Sequence, residues 1–189
     1  IMDSIDNIKK EVINNDLSYL ELLELYIKYI KLVKKLQSPI PSIRSDYKYY
    51  MNDKVVNCYG YALRLDLPEY FAKSFDRELG DDFDFYPGCF SGIHDILTEE
   101  DLLKGLYGDL DVLGIKYNEC IDSSHLYKIS LYYQKSILID DGLRDFHFWR
   151  LNNNGIWSCK EGYSGRVIKN IKPTCNIGYS LIKKLDIGR

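Results

Sequence analysis

The sequence predicts an α+β domain, on three observations. Apolar residues recur at helical spacing through the first forty residues, and after about residue 125 the pattern changes to short runs rich in Tyr, Ile and Leu separated by turn residues. Helices first and an antiparallel meander later is the α+β order. With 189 residues, of which 46% are hydrophobic and 28% charged, a core is available without disulfide or metal staples. One domain is expected over residues 1–189, divided into an N-terminal helical hairpin (1–40) and a core (41–189).

Asp3 or Ser4 can cap a first helix running to about Asn15. Asp16 precedes a second, whose apolar face is Leu17, Leu20, Leu23, Leu25, Ile27, Ile30, Val33 and Leu36. Ser38-Pro39-Ile40-Pro41 stops it and opens an extended stretch to about Val56. Asn57 to Leu65 reads as a short helix ended by Pro68, and residues 69–92 read as loop-rich, with Asp81, Asp82 and Asp84. Thr98-Glu99-Glu100-Asp101 resembles a capping box with Asp in place of Glu. It opens a helix carrying Leu102, Leu103, Leu106, Leu110 and Leu113, which Gly114 stops. Strands are expected over Tyr127 to Tyr133, Ser136 to Ile139, Phe146 to Leu151, Ile156 to Cys159 and Gly178 to Leu185, with turns at Asp140-Asp141-Gly142 and Asn152-Asn153-Asn154-Gly155.

A net charge of −3 gives no electrostatic footprint for nucleic acid or an anionic membrane. The lysines at 28, 31, 34 and 35 read as the solvated face of a helix. No run of about 18 apolar residues could span a bilayer, and residues 1–15 lack the apolar region of a secretory signal. Five scattered cysteines, Cys58, Cys89, Cys120, Cys159 and Cys175, form no CxxC pair, which predicts reduced thiols in a cytoplasmic compartment, whether the cell's own or a host's. Their wide spacing is unlike the close ligand pairs of zinc sites, so no metal or cofactor is expected. The 17 tyrosines lie mostly in segments read as core or strand.

Cys58 is the strongest candidate for chemistry. It stands where polar Asn57 meets the first turn of a helix, and unpaired amide hydrogens there favour a thiolate and can bind an oxyanion. Its position alone suits a buried cysteine acting as a small apolar residue somewhat better than a nucleophile. His147, in Asp145-Phe146-His147-Phe148-Trp149-Arg150, is a polar residue among strand aromatics and needs a partner; it is either a packed core histidine or a base that reaches Cys58. His94 and His125 lie beside loops and read as surface or structural residues.

Four blocks occur in order: Asn57-Cys58-x-x-Tyr61-Ala62-Leu63, Pro87-Gly88-x-x-Ser91-Gly92, Asp145-Phe146-His147-Phe148-Trp149-Arg150 and Gly155-x-Trp157-Ser158-x-Lys160-x-Gly162. Together they resemble a group of bacterial and viral proteins within the papain-like cysteine peptidase superfamily. The resemblance covers residues 55–185 and leaves the N-terminal helices outside it. It implies a helix carrying Cys58 packed on an antiparallel sheet carrying His147. In that group a His often stands at the position of Cys159, so the residue orienting His147 is open here. Asn152 to Asn154, Ser158, Glu161 and Asp140 are candidates, and the asparagines also serve as turn formers. Asn57 and the Tyr59 N–H are candidate oxyanion donors. The Pro87 to Gly92 loop either lines a substrate groove or is a tight loop only.

The expected function is hydrolysis of an amide or isopeptide bond in a protein or peptide through a Cys58–His147 thioester mechanism, including removal of ubiquitin-like modifiers. Alternatives are glutamine deamidation or acyl transfer with the same dyad, a non-catalytic protein-binding module, and peptidoglycan hydrolysis, which normally needs export.

Overall fold

The computed structural model describes residues 1–36, 57–65, 67–80, 85–93, 95–120, 129–137, 146–151, 155–160, 167–169, 172–173 and 179–187. The expected turns at Asp140-Asp141-Gly142 and Asn152 to Asn154, and the extended stretch before Asn57, lie outside those residues.

Helix α1 (Met2–Asn14) begins ahead of Asp3 and Ser4, with Ile1 in the cap position and no side-chain cap. Helix α2 (Tyr19–Leu36) starts later than Asp16 suggests. The reason is a reciprocal pair: the Ser18 hydroxyl accepts from the Glu21 N–H at 3.3 Å, while the Glu21 carboxylate accepts from the Ser18 N–H at 3.3 Å. The buried face of α2 is Leu22, Leu23, Tyr26, Tyr29 and Ile30; Leu20, expected in the apolar stripe, is 69% exposed. Tyr26 is the hub of an aromatic cluster, its ring 5.2 Å from Phe71, 5.5 Å from Phe85 and 5.9 Å from both Phe75 and Phe90. Lys28, Lys31 and Lys35 are exposed as expected. Lys34 is half-buried, and burial lowers its amine to about 8.

Helix α3 (Cys58–Ala62) is followed by α4 (Glu69–Leu79), where the sequence reading expected loop. Pro68 caps α4, Gly80 at φ 78° ends it, and Phe71, Ala72 and Phe75 form its buried stripe. Proline at the start and glycine past the end are the ordinary helix boundaries. Helix α5 (Glu99–Leu113) has the expected capping box. Thr98 Oγ1 accepts from the Asp101 N–H at 3.1 Å, and Asp101 Oδ2 accepts from the N–H groups of Leu97 and Thr98 at 3.1 Å each. Leu102, Leu106, Leu110 and Leu113 are wholly buried, and Gly114, at φ 72°, ends the helix as expected.

The sheet is antiparallel throughout, in the order β1-β6-β2-β3-β4-β5: β1 (Tyr117–Glu119), β2 (Ile129–Ile137), β3 (Trp149–Leu151), β4 (Trp157–Lys160), β5 (Val167–Lys169) and β6 (Tyr179–Ile187). Strand β2 is a single nine-residue strand where two segments were expected, and β3 begins at Trp149 rather than Phe146. Strands β1 and β5 have three residues each, too few for alternation to reveal them. The central pair, β2 with β6, runs from Ile129↔Ile187 to Ile137↔Tyr179. Leu131 and Tyr133 of β2 and Leu185 and Ile187 of β6 share one hydrophobic cluster with Ile8 and Val12 of α1, Tyr26 of α2 and the leucines of α5. The N-terminal helices thus cover the same core as the sheet. No described helix is long and apolar enough to cross a membrane.

Replacing Thr98 by Ala should lower stability by about 1 kcal/mol in urea denaturation. The amides of Leu97 and Thr98 hold the Asp101 carboxyl below its ordinary 3.8. Its contribution is therefore present at neutral pH and is lost as pH falls through that depressed value.

Candidate functional site at Cys58

Cys58 is the first residue of α3. Asn57, at φ −89° and ψ −170°, caps the helix, its Oδ1 accepting from the Gly60 N–H at 3.0 Å. The same carboxamide donates through Nδ2 to the Phe85 carbonyl. On the other side of Cys58, the Tyr59 hydroxyl donates to Asp109 Oδ2 at 2.7 Å. From 57 to 63 every residue is buried except Cys58, which is half-buried. Both neighbours of the thiol are thus tied into the interior, and the thiol alone in this turn reaches toward solvent.

The helix ends after five residues. The Leu65 N–H bonds the Gly60 carbonyl at 3.0 Å and the Arg64 N–H bonds the Tyr61 carbonyl at 3.1 Å, a Schellman closure. Arg64 takes the left-handed position at φ 55°, where glycine is usual. So short a helix has little macrodipole, and the electrostatics at Cys58 are those of nearby first-turn N–H groups. The Gly60 N–H is taken by Asn57. The Tyr59 N–H donates to nothing among the described residues.

The Pro87 to Gly92 loop is tight and turns its amides inward. Gly88 N–H donates to Asp109 Oδ2 at 2.8 Å, while the Phe90 and Ser91 N–H groups reach Oδ1 at 3.0 and 2.9 Å. The Ser91 hydroxyl adds a bond to Oδ1 at 3.0 Å. Glycines permit the close approach: a Cβ on Gly105 would lie 2.6 Å from the Pro87 carbonyl oxygen, and one on Gly108 2.9 Å from Ser91 Oγ. Burial raises the Asp109 carboxyl, and the hydroxyl and amide donors oppose that rise. Burial also pushes the Cys89 thiol in this loop well above its ordinary 9.0, with Asp109 adding to the rise.

Strands β3 and β4 pack on α3. The Phe148 ring lies 4.9 Å from that of Tyr59. The Arg150 guanidinium lies 4.2 Å from the Tyr61 ring centre and donates to the Tyr61 carbonyl at 3.2 Å, at the C-terminal end of α3. Ser158, opposite Arg150 in register, is wholly buried, with Oγ 2.7 Å from the Tyr61 hydroxyl. Alternation places Phe148, Arg150 and Ser158 on the face that meets α3. His147 is half-buried just before β3, its ring edge-on to Trp149 at 4.8 Å and 87°. Trp149 pairs with Tyr132, whose ring meets Trp157 at 4.1 Å, so His147 shares an aromatic side of the sheet opposite α3.

Asn57 and Ser158 therefore both touch α3, one at its start and the other below its last turn. The segment carrying His147 meets α3 through Phe148. The Ser158 hydroxyl is engaged by Tyr61, and the Asn57 carboxamide by Gly60 and Phe85. Cys159 is wholly buried on β4. Asn152, His94, His125, Asp140 and Glu161 lie outside the described residues. Among the described residues, no group of three or more His, Cys, Asp or Glu side chains could hold a metal ion. The residue the sequence reading missed is Asp109. Its signal was a carboxylate on the inner face of α5, three residues after Leu106 and flanked by Gly105 and Gly108. No family model, curated protein or solved structure matches this chain.

Gly105→Ala should destabilise the fold by about 1–3 kcal/mol, because the added methyl meets the backbone of Pro87. Alanine's better helix propensity, worth about 1 kcal/mol, should not offset this. A gain in denaturation midpoint would show that the loop does not lie against the helix as described.

Proposed function

We propose that this chain is a thiol hydrolase of amide or isopeptide bonds in proteins or peptides, with Cys58 as nucleophile and His147 as general base. The reading rests on one observation: Cys58 is the half-exposed residue of an otherwise buried turn, between two anchored neighbours, on a helix in ring contact with the residue beside His147. The four motif blocks that resemble papain-like cysteine peptidases support it, as does the packing of α3 on an antiparallel sheet. In this mechanism His147 accepts the thiol proton and the Cys58 sulfur attacks the carbonyl carbon. The oxyanion takes a hydrogen bond from the Tyr59 N–H, and the imidazolium returns the proton to the departing amine, leaving a thioester. Water then adds to the thioester with His147 again as base, releasing the acid and restoring the thiol. Deamidation of glutamine, or transfer to an amine, follows from the same thioester with a different acyl donor or acceptor. A reducing compartment such as the cytoplasm would keep the Cys58 thiol available for this chemistry.

A second reading, a non-catalytic protein-binding module, is favoured by a different observation. The His147 ring rests on Trp149, on the side of the strand away from Phe148 and Arg150. For the hydrolase, His147 must reach Cys58 around the start of β3 rather than through the face of the sheet.

Iodoacetamide labelling between pH 5 and 9 separates the two. In the hydrolase, Cys58 reacts well below the usual thiol range of about 8.5, and Cys58→Ser abolishes that fast reaction. The buried Cys89 and Cys159 stay slow. His147→Ala should move the profile upward, while His94→Ala and His125→Ala leave it in place. Uniformly slow cysteines would support the binding module instead, and a His147→Ala profile that overlays the parent would show that His147 is not the base.

A further inference from the structure

We propose that Asp109, acting through Tyr59, is a positioning residue that sets the relation between Cys58 and His147; this rests on the hydrolase reading above. The Asp109 carboxylate is wholly buried and accepts five hydrogen bonds. Four come from Gly88, Phe90 and Ser91, enough to hold the loop. The fifth, from the Tyr59 hydroxyl, joins a different element, the helix that carries Cys58. The Tyr59 ring is thus fixed at its hydroxyl by Asp109 and held in ring contact with Phe148, 4.9 Å away and tilted by 55°. Tyr59 follows Cys58 in the chain and Phe148 follows His147. The column Asp109–Tyr59–Phe148 therefore ties together the two backbone segments whose side chains must meet. The Phe85 carbonyl, from the stretch leading into the same loop, holds Asn57 on the other side of Cys58. Without the Tyr59 hydroxyl bond, the ring keeps its place in the core but loses the one directional contact that fixes its position along Phe148. Misplacement of a reacting group by about 1 Å lowers rates by up to about 100-fold.

Tyr59→Phe removes that bond and leaves four donors on the carboxylate. Its iodoacetamide rate at Cys58, measured at pH 6 well below the melting temperature, should fall by about tenfold or more, and the pH midpoint of labelling should rise. Thr98→Ala, which weakens the cap of the same helix α5 without touching the carboxylate, should lower the melting temperature and leave the labelling profile unchanged. Asp109→Asn repeats the test should Tyr59→Phe not fold. If the parent shows fast Cys58 labelling that His147→Ala removes, while folded Tyr59→Phe or Asp109→Asn overlays the parent, the positioning role is overturned and the hydrolase reading stands. If Thr98→Ala shifts the profile as far as Tyr59→Phe does, the effect follows stability, and the proposal is again overturned. If the parent's Cys58 is slow, the hydrolase reading fails and the positioning role falls with it.

Discussion

A carboxylate in the interior organises this protein. Asp109 sits on the buried face of α5, where an unpaired charge would be prohibitive, and the fold answers by aiming three backbone amides and two hydroxyls at it. That requirement dictates the shape of the Pro87 to Gly92 loop. Its amides can converge only if Gly88 adopts φ 104° and if Gly105 and Gly108 let the loop lie against the helix. The loop presents Phe90 to Tyr26, and the stretch leading into it presents Phe85, so the polar centre and the aromatic core are built from the same part of the chain. Hydrogen bonds to a buried charge are strong and directional. Apolar contacts are neither, and they would tolerate several placements of α3 that this carboxylate does not.

The two ends of α3 are held by different means. At its start, Asn57 and Tyr59 are anchored by hydrogen bonds to the Phe85 carbonyl and to Asp109. At its finish, the Arg150 guanidinium covers the Tyr61 ring and donates a hydrogen bond to the Tyr61 carbonyl of the last turn. A cation at a helix C-terminus and a polar cap at its N-terminus both suit the backbone's partial charges. A helix of five residues has no stability of its own, so its existence is a property of these contacts.

Much of the helical part was legible because its signals are local. The Thr98 capping box, the leucine stripe of α5 and the Gly114 stop are written within seventeen consecutive residues. Helix α4 carries equally local marks in Pro68, Gly80 and the Phe71–Phe75 spacing, followed in sequence by Asp81, Asp82 and Asp84, which are loop-forming residues. Leu20 fits the apolar period and is exposed, because Tyr26 and Tyr29 carry the contact with α4 and Leu20 faces elsewhere. Strand pairing was harder, since β6 returns between β1 and β2 and no local rule gives that order. At the site, Cys58 and Asn57 were marked by the helix boundary. Ser158 was named as an orienter of His147, yet its partner is Tyr61, 97 residues earlier in the chain. Asp109 went unnoticed because a carboxylate in an apolar stripe declares a partner without saying which.

The register of β2 with β6 bears on how the chain folds. These strands form the longest ladder in the sheet, yet they bring residues 129–137 together with residues 179–187. Among the described residues, strand β1 reaches the sheet only through β6. During synthesis, then, β1 has no pairing partner until β6 has left the ribosome, and the strand that completes the middle of the sheet is made after all its neighbours. Contacts of such sequence separation form slowly because the loop between them must be ordered first. The helices, with their local caps, can form and collect around Tyr26 well before. Until β6 arrives, β2 offers an open edge to other chains, so the interval before its insertion is when this protein is most exposed to aggregation.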